Sequence, residues 1–208
     1  MQLTKRDGEM MGWLNGFGYA QIKHIAVKLK TSEKTAYRRM QKLVREGYCQ
    51  HDRLWFGEPG VYRLTAKGVG ASNDELPQVR AVNVAQAKHQ LAVISLSLHL
   101  EKTSTGHFIP ERQLRRCLGL TGVGQSQHVC DGVWVQDGKQ FAIEVELSNK
   151  GKRRLDNIIR HYKKAFNYEE VWYFCGDKQV RKKVEAAANE VSFIKFYNLT
   201  EWLAHAVR

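Results

Sequence analysis

The stretch HVCDGVWVQDGKQFAIEVELSNKGKRR, residues 128–154, decides the fold of the C-terminal half of the chain. Apolar and polar residues alternate on both sides of its central DGK triplet, which is typical of a tight turn between strands. The pattern predicts a β-hairpin with strands over 128–136 and 140–147. Because side chains alternate between the two faces of a strand, Glu144 and Glu146 share one face of the second strand.

The hairpin brings a third carboxylate to the same place. Asp131 lies near the start of the first strand, so pairing across the turn sets it beside Glu144 and Glu146. Converging carboxylates raise one another's pKa unless a cation neutralises them. Their oxygens suit Mg²⁺ or Mn²⁺, and we expect these three residues to hold such an ion. An alternative to metal binding is that the two glutamates simply form the solvent-facing side of an exposed strand.

Positive charge follows directly after the second strand. Lys150 comes shortly after Glu146, and we expect it to orient water or to stabilise charge on a reacting phosphate. A helix predicted over 152–167 begins with Arg153 and Arg154, which are predicted contacts to DNA phosphates. With the basic residues that follow, they form a stripe expected to hold the strand being cut: Arg153, Arg154, Arg160, Lys163 and Lys164. A divalent ion held by carboxylates, beside a basic helix, is typical of enzymes that hydrolyse phosphodiesters. The predicted catalytic residues are therefore the three carboxylates and Lys150.

Residues 80–200 resemble the PD-(D/E)XK, or restriction-endonuclease-like, nuclease superfamily. That superfamily has an acidic residue on one strand, (D/E)-x-K on the next, and then a helix and further strands. The segment CDG matches the first part through Asp131, and EVE matches the second through Glu144 and Glu146. Glutamate stands where the pattern has lysine, which leaves Lys150 as the substitute for the positive charge. The resemblance implies a metal-dependent nuclease.

The whole chain is also similar to the replication-relaxation and MOB-C-type mobilisation proteins of plasmids. The similarity rests on YRLTAKG in the N-terminal half and on AKHQLAV, IPERQLRR and EVELSNK in the C-terminal half. It implies nicking of plasmid or mobile-element DNA, with other mobile-element proteins as partners. It also implies that Glu111 is an additional metal ligand and that Arg112 contacts a phosphate. From the residues alone, PERQLRR is a helix begun by proline with a solvated face.

The N-terminal half predicts a winged helix. Three short helices, with threonine or serine caps and glycine stops, precede two β-prone runs around Gly57, Pro59 and Gly60. In a winged helix-turn-helix the third helix enters the major groove of DNA and the hairpin lies along the backbone. The predicted DNA contacts are therefore side chains off the buried stripe of the third helix and one on the wing, namely Lys34, Thr35, Arg38, Arg39, Lys42 and Arg53. On the alternative interpretation these charges are only a solvated helix face.

These patterns predict an α/β (α+β) protein of two domains. A winged helix-turn-helix occupies 1–70, a linker occupies 71–79, and a restriction-endonuclease-like mixed sheet flanked by helices occupies 80–208. The linker prediction rests on GASNDELPQV, which is polar, contains a proline and has no periodicity. The net charge of +12 favours a polyanionic partner, and we expect double-stranded DNA rather than a membrane.

The remaining composition indicates the cellular context. The four cysteines are far apart and form no CxxC pair, so we expect reduced thiols and neither a zinc site nor disulfides. No apolar run has the length of a membrane-spanning helix, and MQLTKRDGEM lacks the apolar core of a secretory signal. We therefore expect a cytoplasmic protein. Its oligomeric state stays open, although many winged-helix proteins act as homodimers on symmetric sites.

Two functions fit the sequence, which leaves open whether the chain is an enzyme. The first is a metal-dependent DNA endonuclease or nickase with a winged-helix reader. The second is a DNA-binding regulator or accessory protein whose nuclease-like domain is inactive, and the missing lysine of the (D/E)-x-K pattern favours it. A third function, binding of RNA or anionic lipid, lacks a stacking motif or a basic amphipathic anchor. Tyr162 is expected to pack its ring on the core, and His128 and His161 are expected to be structural or solvent-facing rather than ligands.

Overall fold

The computed structural model describes residues 2–72, 75–120, 127–165, 167–188 and 191–204. Its internal contacts divide the chain into two compact units, Met1–Ile94 and Ser95–Arg208. The division falls inside a long helix, later in the chain than the linker predicted from the sequence. The predicted domain boundaries stay a prediction. Within the described residues, no helix combines the length and the apolar character needed to cross a membrane.

The first unit combines short helices with a small sheet. Its elements are α1 (Lys5–Phe17), β1 (Ala20–Gln21), α2 (Ile22–Lys28), α3 (Glu33–Arg45), β2 (Cys49–Asp52), β3 (Val61–Leu64), α4 (Ala66–Ala71) and the first part of α5 (Val84–Thr103). The strands pair antiparallel in the order β1-β3-β2. The predicted order of three helices followed by a hairpin is confirmed, whereas β1 and α4 were not predicted.

The start of α1 follows its sequence signal. The Thr4 hydroxyl accepts a hydrogen bond from the Asp7 backbone N–H at 3.3 Å, and the Asp7 carboxylate accepts one from the Thr4 backbone N–H at 2.7 Å. This reciprocal capping box satisfies two N–H groups that a helix start leaves unpaired. Apolar side chains of α1 and α3 form part of the core, and they include Met10, Leu14, Ala36, Met40 and Leu43. The opposite side of α3 is left to solvent.

A buried ion pair ties α1 to α3. Asp7 is 4% exposed, and its carboxylate accepts hydrogen bonds from Arg39 Nε at 2.7 Å and from Arg39 Nη2. Burial by itself raises the pKa of Asp7, but the hydrogen bonds from Arg39 and Thr4 outweigh burial and lower that pKa below its ordinary value. A planar guanidinium suits this two-point contact with a carboxylate. Arg39, predicted to contact DNA, therefore has a partner within its own unit.

His24 in α2 makes the stability of the first unit depend on pH. Its Nδ1 accepts a hydrogen bond from the Gln21 backbone N–H at 3.3 Å, and burial lowers the pKa of His24 to about 3. Below about pH 6.5 the unfolded chain takes up a proton that the folded chain does not, so stability is lost as pH falls from there towards 3. The expected loss approaches ~1.4 kcal/mol per pH unit.

A His24→Asn variant tests this prediction, because asparagine keeps an acceptor but does not titrate. The free energy of unfolding in urea, measured between about pH 6 and 4, is expected to depend less steeply on pH in the variant than in the wild type. Equal slopes for the two proteins would show that His24 is not the buried titrating group.

The second unit is built on a mixed five-stranded sheet. After the remainder of α5, its elements are β4 (His107–Pro110), α6 (Glu111–Cys117), β5 (Gly132–Gln136), β6 (Lys139–Glu146), α7 (Lys152–Tyr162), β7 (Glu170–Cys175), α8 (Lys178–Ala188), β8 (Ile194–Asn198) and α9 (Leu199–Ala204). The strand order is β4-β5-β6-β7-β8. The first three strands pair antiparallel, and β6, β7 and β8 pair parallel. The predicted mixed α/β class is confirmed, but β4 was not predicted.

The hairpin predicted across DGK is confirmed. Gly132 pairs with Ile143 at one end of the ladder, and Gln136 pairs with Lys139 next to the turn. Asp137 and Gly138 both have positive φ, which the favoured two-residue hairpin turns require. The first strand begins at Gly132 rather than at the predicted residue 128, and 128–131 lie before it without regular pairing. The Phe108 ring lies against Gly132, where a Cβ would come within 2.1 Å of the ring.

Helices α7 and α8 cover the face of the sheet that carries the glutamates. Their apolar residues, including Leu155, Ile159 and Val184, form one buried cluster with sheet residues such as Ala142 and Tyr173. Burial of each large apolar side chain contributes about 1.5–3 kcal/mol. Side chains of β6 alternate, so the residues on the same face as Ala142 lie beneath these helices. The alternative that Glu144 and Glu146 form a solvent-facing surface is wrong, because they are 2% and 3% exposed.

Candidate active site

The three predicted carboxylates come from two neighbouring parts of the sheet. Glu144 and Glu146 lie at the carboxyl end of β6, beside β7. Asp131 comes immediately before β5, and its Oδ2 accepts a hydrogen bond from the Val145 backbone N–H at 2.7 Å. The predicted hairpin therefore brings Asp131 to the backbone between the two glutamates.

Glu144 is held by two side chains that were predicted to be structural. Its Oε1 lies 2.8 Å from His128 Nε2 and accepts a hydrogen bond from the Tyr162 hydroxyl. Burial raises the pKa of Glu144 and the charge of Asp131 adds to that rise, whereas the hydrogen bonds from His128 and Tyr162 oppose it. Burial, followed by the charge of Glu144, raises the pKa of Tyr162 well above its ordinary value, so its hydroxyl stays protonated and donates.

Glu146 is paired with the lysine that follows it in the sequence. Lys150 Nζ lies 2.6 Å from Glu146 Oε2, and the two side chains are 17% and 4% exposed. The contact of Glu146 Oε2 with Lys150 is an ion pair that does not have hydrogen-bond geometry. The other carboxylate oxygen, Oε1, accepts a long hydrogen bond of 3.4 Å from the Ser148 backbone N–H. The predicted position of Lys150 beside the acidic residues is thus observed for Glu146.

Tyr173 on β7 lies beside the acidic residues of β6. It pairs with Glu144 in the sheet, and within the described residues its buried hydroxyl has no hydrogen-bond partner. Burial raises the pKa of Tyr173, and the negative charges of Glu144, Glu146 and Asp131 raise it further. An unpaired buried hydroxyl costs about 1–3 kcal/mol, and a bound ion or water is one way in which proteins satisfy such a group.

The donor set fits a hard divalent cation by its chemistry. Carboxylate oxygens are the ligands that Mg²⁺ and Mn²⁺ prefer, and within the described residues the buried Tyr173 hydroxyl nearby has no hydrogen-bond partner. Yet in the part of the chain that the structure describes, no three His, Cys, Asp or Glu side chains are grouped as a metal site. Glu144 and Glu146 are turned to protein partners instead. A shared ion on Asp131, Glu144 and Glu146 stays a prediction.

Glu111, the additional ligand that the resemblance to mobilisation proteins implies, contacts Asp131 through its backbone. Glu111 begins α6, and its N–H donates to the Asp131 carbonyl oxygen at 3.2 Å. Its carboxylate accepts a hydrogen bond from Arg115 Nε at 2.7 Å. The next residue, Arg112, is partly buried in the same helix, and its contact with a phosphate stays a prediction.

The start of α7 has a charge pattern that favours an anion. Gly151 caps the helix without a side-chain hydrogen bond, and the first turn contains no acidic residue. Lys152, Arg153 and Arg154 follow, and all three are exposed. Cations near the positive end of a helix dipole are unfavourable by roughly 0.3–1 kcal/mol each, and an anion such as phosphate reverses this. Arg153 and Arg154 are therefore exposed at a helix start that favours an anion, and their contact with phosphate stays a prediction.

The predicted DNA contacts of the first unit fall into two groups. Those on the solvent side of α3, and the one in the loop between β2 and β3, are exposed: Lys34, Thr35, Arg38, Lys42 and Arg53. Arg39 is instead bound to Asp7 and only partly exposed. The exposed group is accessible to a ligand, and its contact with DNA stays a prediction.

His128 and Tyr162 are the site residues that sequence reasoning missed. Tyr162 lies on the apolar stripe of α7, four residues after Ile158, which indicated a core role. The sequence did contain one signal for this contact: the helix that carries the Tyr162 hydroxyl on its apolar stripe follows directly after the strand that carries Glu144. His128 gave no comparable signal, because its contact with Glu144 depends on the course of the chain before β5.

Comparison with known proteins finds no matching family model and no curated protein that matches the chain. The resemblances to the nuclease superfamily and to plasmid mobilisation proteins therefore stay predictions that rest on their sequence motifs. The geometry around Glu144 and Glu146 is independent of those motifs.

Proposed function

We propose that the chain is a DNA-binding protein with metal-dependent endonuclease or nickase activity on plasmid or mobile-element DNA. The observation that carries the proposal is the acidic group at the end of β6, where the buried Glu144 and Glu146 lie beside the partly buried Asp131, and Lys150 contacts Glu146. Removing a carboxylate from water costs several kcal/mol, so a fold that buries Glu144 and Glu146 side by side does so at the expense of its stability. Such clusters are candidates for chemistry.

The roles of the residues follow from their contacts. Asp131, Glu144 and Glu146 would hold Mg²⁺ or Mn²⁺, which when bound activates a water and stabilises charge on the phosphate. His128 and Tyr162 fix one oxygen of Glu144 and so orient this carboxylate. Lys150 supplies positive charge beside Glu146, in place of the lysine of the (D/E)-x-K pattern.

The order of elements supports the proposal. An acidic residue before β5, two acids on β6, then α7 and the parallel strand β7 are the arrangement that the nuclease superfamily resemblance implies. In the first unit, the exposed cations of α3 and the adjoining hairpin support a winged-helix reader of double-stranded DNA. Both units then contact the same polyanion, in keeping with the net charge of +12. A homodimer and other mobile-element proteins stay predicted partners.

A plasmid assay tests the proposal. Purified protein is incubated with supercoiled plasmid in Mg²⁺, in Mn²⁺, and in EDTA, and the products are separated on agarose. Nicked or linear plasmid is expected with either metal and not with EDTA. Plasmid that stays supercoiled with both metals, while a gel shift shows that it is bound, would contradict the nuclease and leave the second candidate.

That second candidate is a DNA-binding regulator or accessory protein without catalysis. The observation that favours it is that side chains of the chain itself already contact both glutamates: His128 and Tyr162 hydrogen-bond Glu144, and Lys150 pairs with Glu146. On this view the Lys150–Glu146 pair is purely structural and the second unit is a contact surface. Mn²⁺ binding measured by electron paramagnetic resonance separates the two functions, since only the nuclease is expected to bind the ion tightly at this site.

A further inference from the structure

A cleft of about 940 Å³ lies between α7 and α8 in the second unit. Cations from three elements line it: Lys150 from the loop after β6, Lys152, Arg160 and Lys163 from α7, and Lys183 from α8. Among the described residues that line the cleft, Asp156 is the one carboxylate. The cleft therefore has a strong excess of positive charge.

This cleft overlaps only in part with the basic stripe predicted on the helix after β6, because Arg160 and Lys163 belong to both. Arg153 and Arg154, the predicted contacts, are not among its lining residues, whereas Lys183 comes from a helix to which sequence analysis assigned no role. Lys150 connects the cleft to the acidic group, because it lines the cleft and also contacts Glu146 at 2.6 Å. A ligand anion bound near Lys150 would thus lie next to the candidate active site.

The apolar side chains that line the cleft are either short, as in Ala186 and Ala187, or recessed at its floor. Leu155 and Ile159 line it, yet each is only 3% exposed. An amphipathic peptide helix needs a wide apolar groove, and so it would gain little here. Cationic side chains outnumber carboxylates in the lining, which favours a polyanion over an apolar partner.

The size of the cleft separates an unpaired strand from a duplex. Its volume is that of a small-molecule pocket, about 300–1,000 Å³, which accommodates a few nucleotides at most. A DNA duplex is stiff over about 50 nm and keeps its bases stacked inside, so it would contact the cations of the rim and leave the floor empty. An unpaired strand is narrow and flexible, and its sugars and bases can reach Leu155 and Ile159.

We propose that the α7–α8 cleft binds an unpaired nucleic-acid strand, with its phosphates on the lysines and Arg160 and a base or sugar on the aliphatic floor. The proposal rests on the proposed function as a nucleic-acid-binding protein, and it makes an unpaired strand the form of DNA that approaches Glu146. Duplex DNA is bound by the exposed face of α3, through different residues.

Two neighbouring lysines of α8 provide a matched test. Lys182 and Lys183 are both exposed, but only Lys183 lines the cleft. Binding of a fluorescein-labelled single-stranded oligonucleotide is measured by anisotropy in EDTA, so that no cleavage occurs. Lys183→Glu is expected to weaken binding by at least about tenfold and to lower the dependence of log Kd on log salt, whereas Lys182→Glu changes Kd less than about twofold. Ala186→Trp, which fills the cleft from an exposed position, is expected to act like Lys183→Glu.

Three results would overturn the proposal. The first is equal weakening by the two lysine variants. The second is equal loss of duplex binding in Lys183→Glu, measured with the annealed form of the same oligonucleotide. The third is displacement of the oligonucleotide by poly-glutamate at matched charge concentration, which would indicate a general anion site.

The plasmid assay distinguishes failure of this proposal from failure of the nuclease. If the protein cuts plasmid but the Lys183→Glu variant binds single strands as tightly as the wild type, the nuclease function is supported and the cleft proposal is wrong. If Lys183→Glu weakens the binding of single strands but the wild type does not cut plasmid, the cleft proposal is supported and the nuclease proposal is wrong. Circular dichroism melting of each variant shows whether the fold is retained, and Ala186→Trp gives a second readout if Lys183→Glu does not fold.

Discussion

Replacing Asp131 with asparagine is expected to lower the rate of metal-dependent plasmid cleavage by at least about 1,000-fold, or about 4 kcal/mol in activation free energy. Asparagine keeps an oxygen that can accept the hydrogen bond from the Val145 N–H, so the hairpin is expected to remain intact. The substitution removes the negative charge that would hold the divalent ion. The rate of loss of supercoiled plasmid, with saturating Mg²⁺ or Mn²⁺, is the measurement.

Asp137→Asn is the matched control for Asp131→Asn. Asp137 lies in the turn of the same hairpin, is exposed and has positive φ, which asparagine tolerates. Its cleavage rate is expected to equal that of the wild type, and equal activity also excludes a contaminating nuclease as the cause of any difference. If Asp131→Asn cuts as fast as the control, Asp131 does not hold the ion.

Replacing Arg39 with alanine is expected to destabilise the protein by about 3 kcal/mol, at the lower end of the range for breaking a buried ion pair because Arg39 is 27% exposed. The loss arises because Asp7 stays buried without its guanidinium partner. The pKa of Asp7 is depressed in the folded protein, so the stabilisation is present above the unfolded value of 3.8 and is lost as pH falls through the folded value. The deficit in urea unfolding is therefore expected to be largest near neutral pH and to shrink in acid.

Arg38→Ala is the neighbouring control with the opposite expected effect. Arg38 is exposed on α3, and its removal is expected to change the free energy of unfolding by less than about 0.5 kcal/mol. It should weaken binding of duplex DNA and reduce the slope of log Kd against log salt by about 1. Unchanged stability in Arg39→Ala would show that the pair with Asp7 is not structural. Unchanged DNA binding in Arg38→Ala would remove α3 as the reading helix.

Elements defined by local chemistry could be predicted from the sequence. The hairpin across DGK needs only alternation and two residues that adopt positive φ, and the start of α1 needs only the Thr4–Asp7 capping box. Strand β4 could not be predicted in the same way. Its four residues, HFIP, are too few for a periodic signal, and they become a strand by pairing with β5, which lies distant in the sequence.

The candidate site likewise combines features that could be predicted from the sequence with features that only the tertiary structure shows. Strand alternation by itself determined that Glu144 and Glu146 share a face and that the hairpin brings Asp131 to them, because both follow from backbone geometry between near neighbours. Only the tertiary structure decided that α7 buries this face, that His128 and Tyr162 hold Glu144, and that Lys183 reaches the cleft. Periodicity specifies the direction in which a side chain points. The depth of its burial and its partner depend on which distant element packs there, and that is set by the hydrophobic packing of the whole sheet.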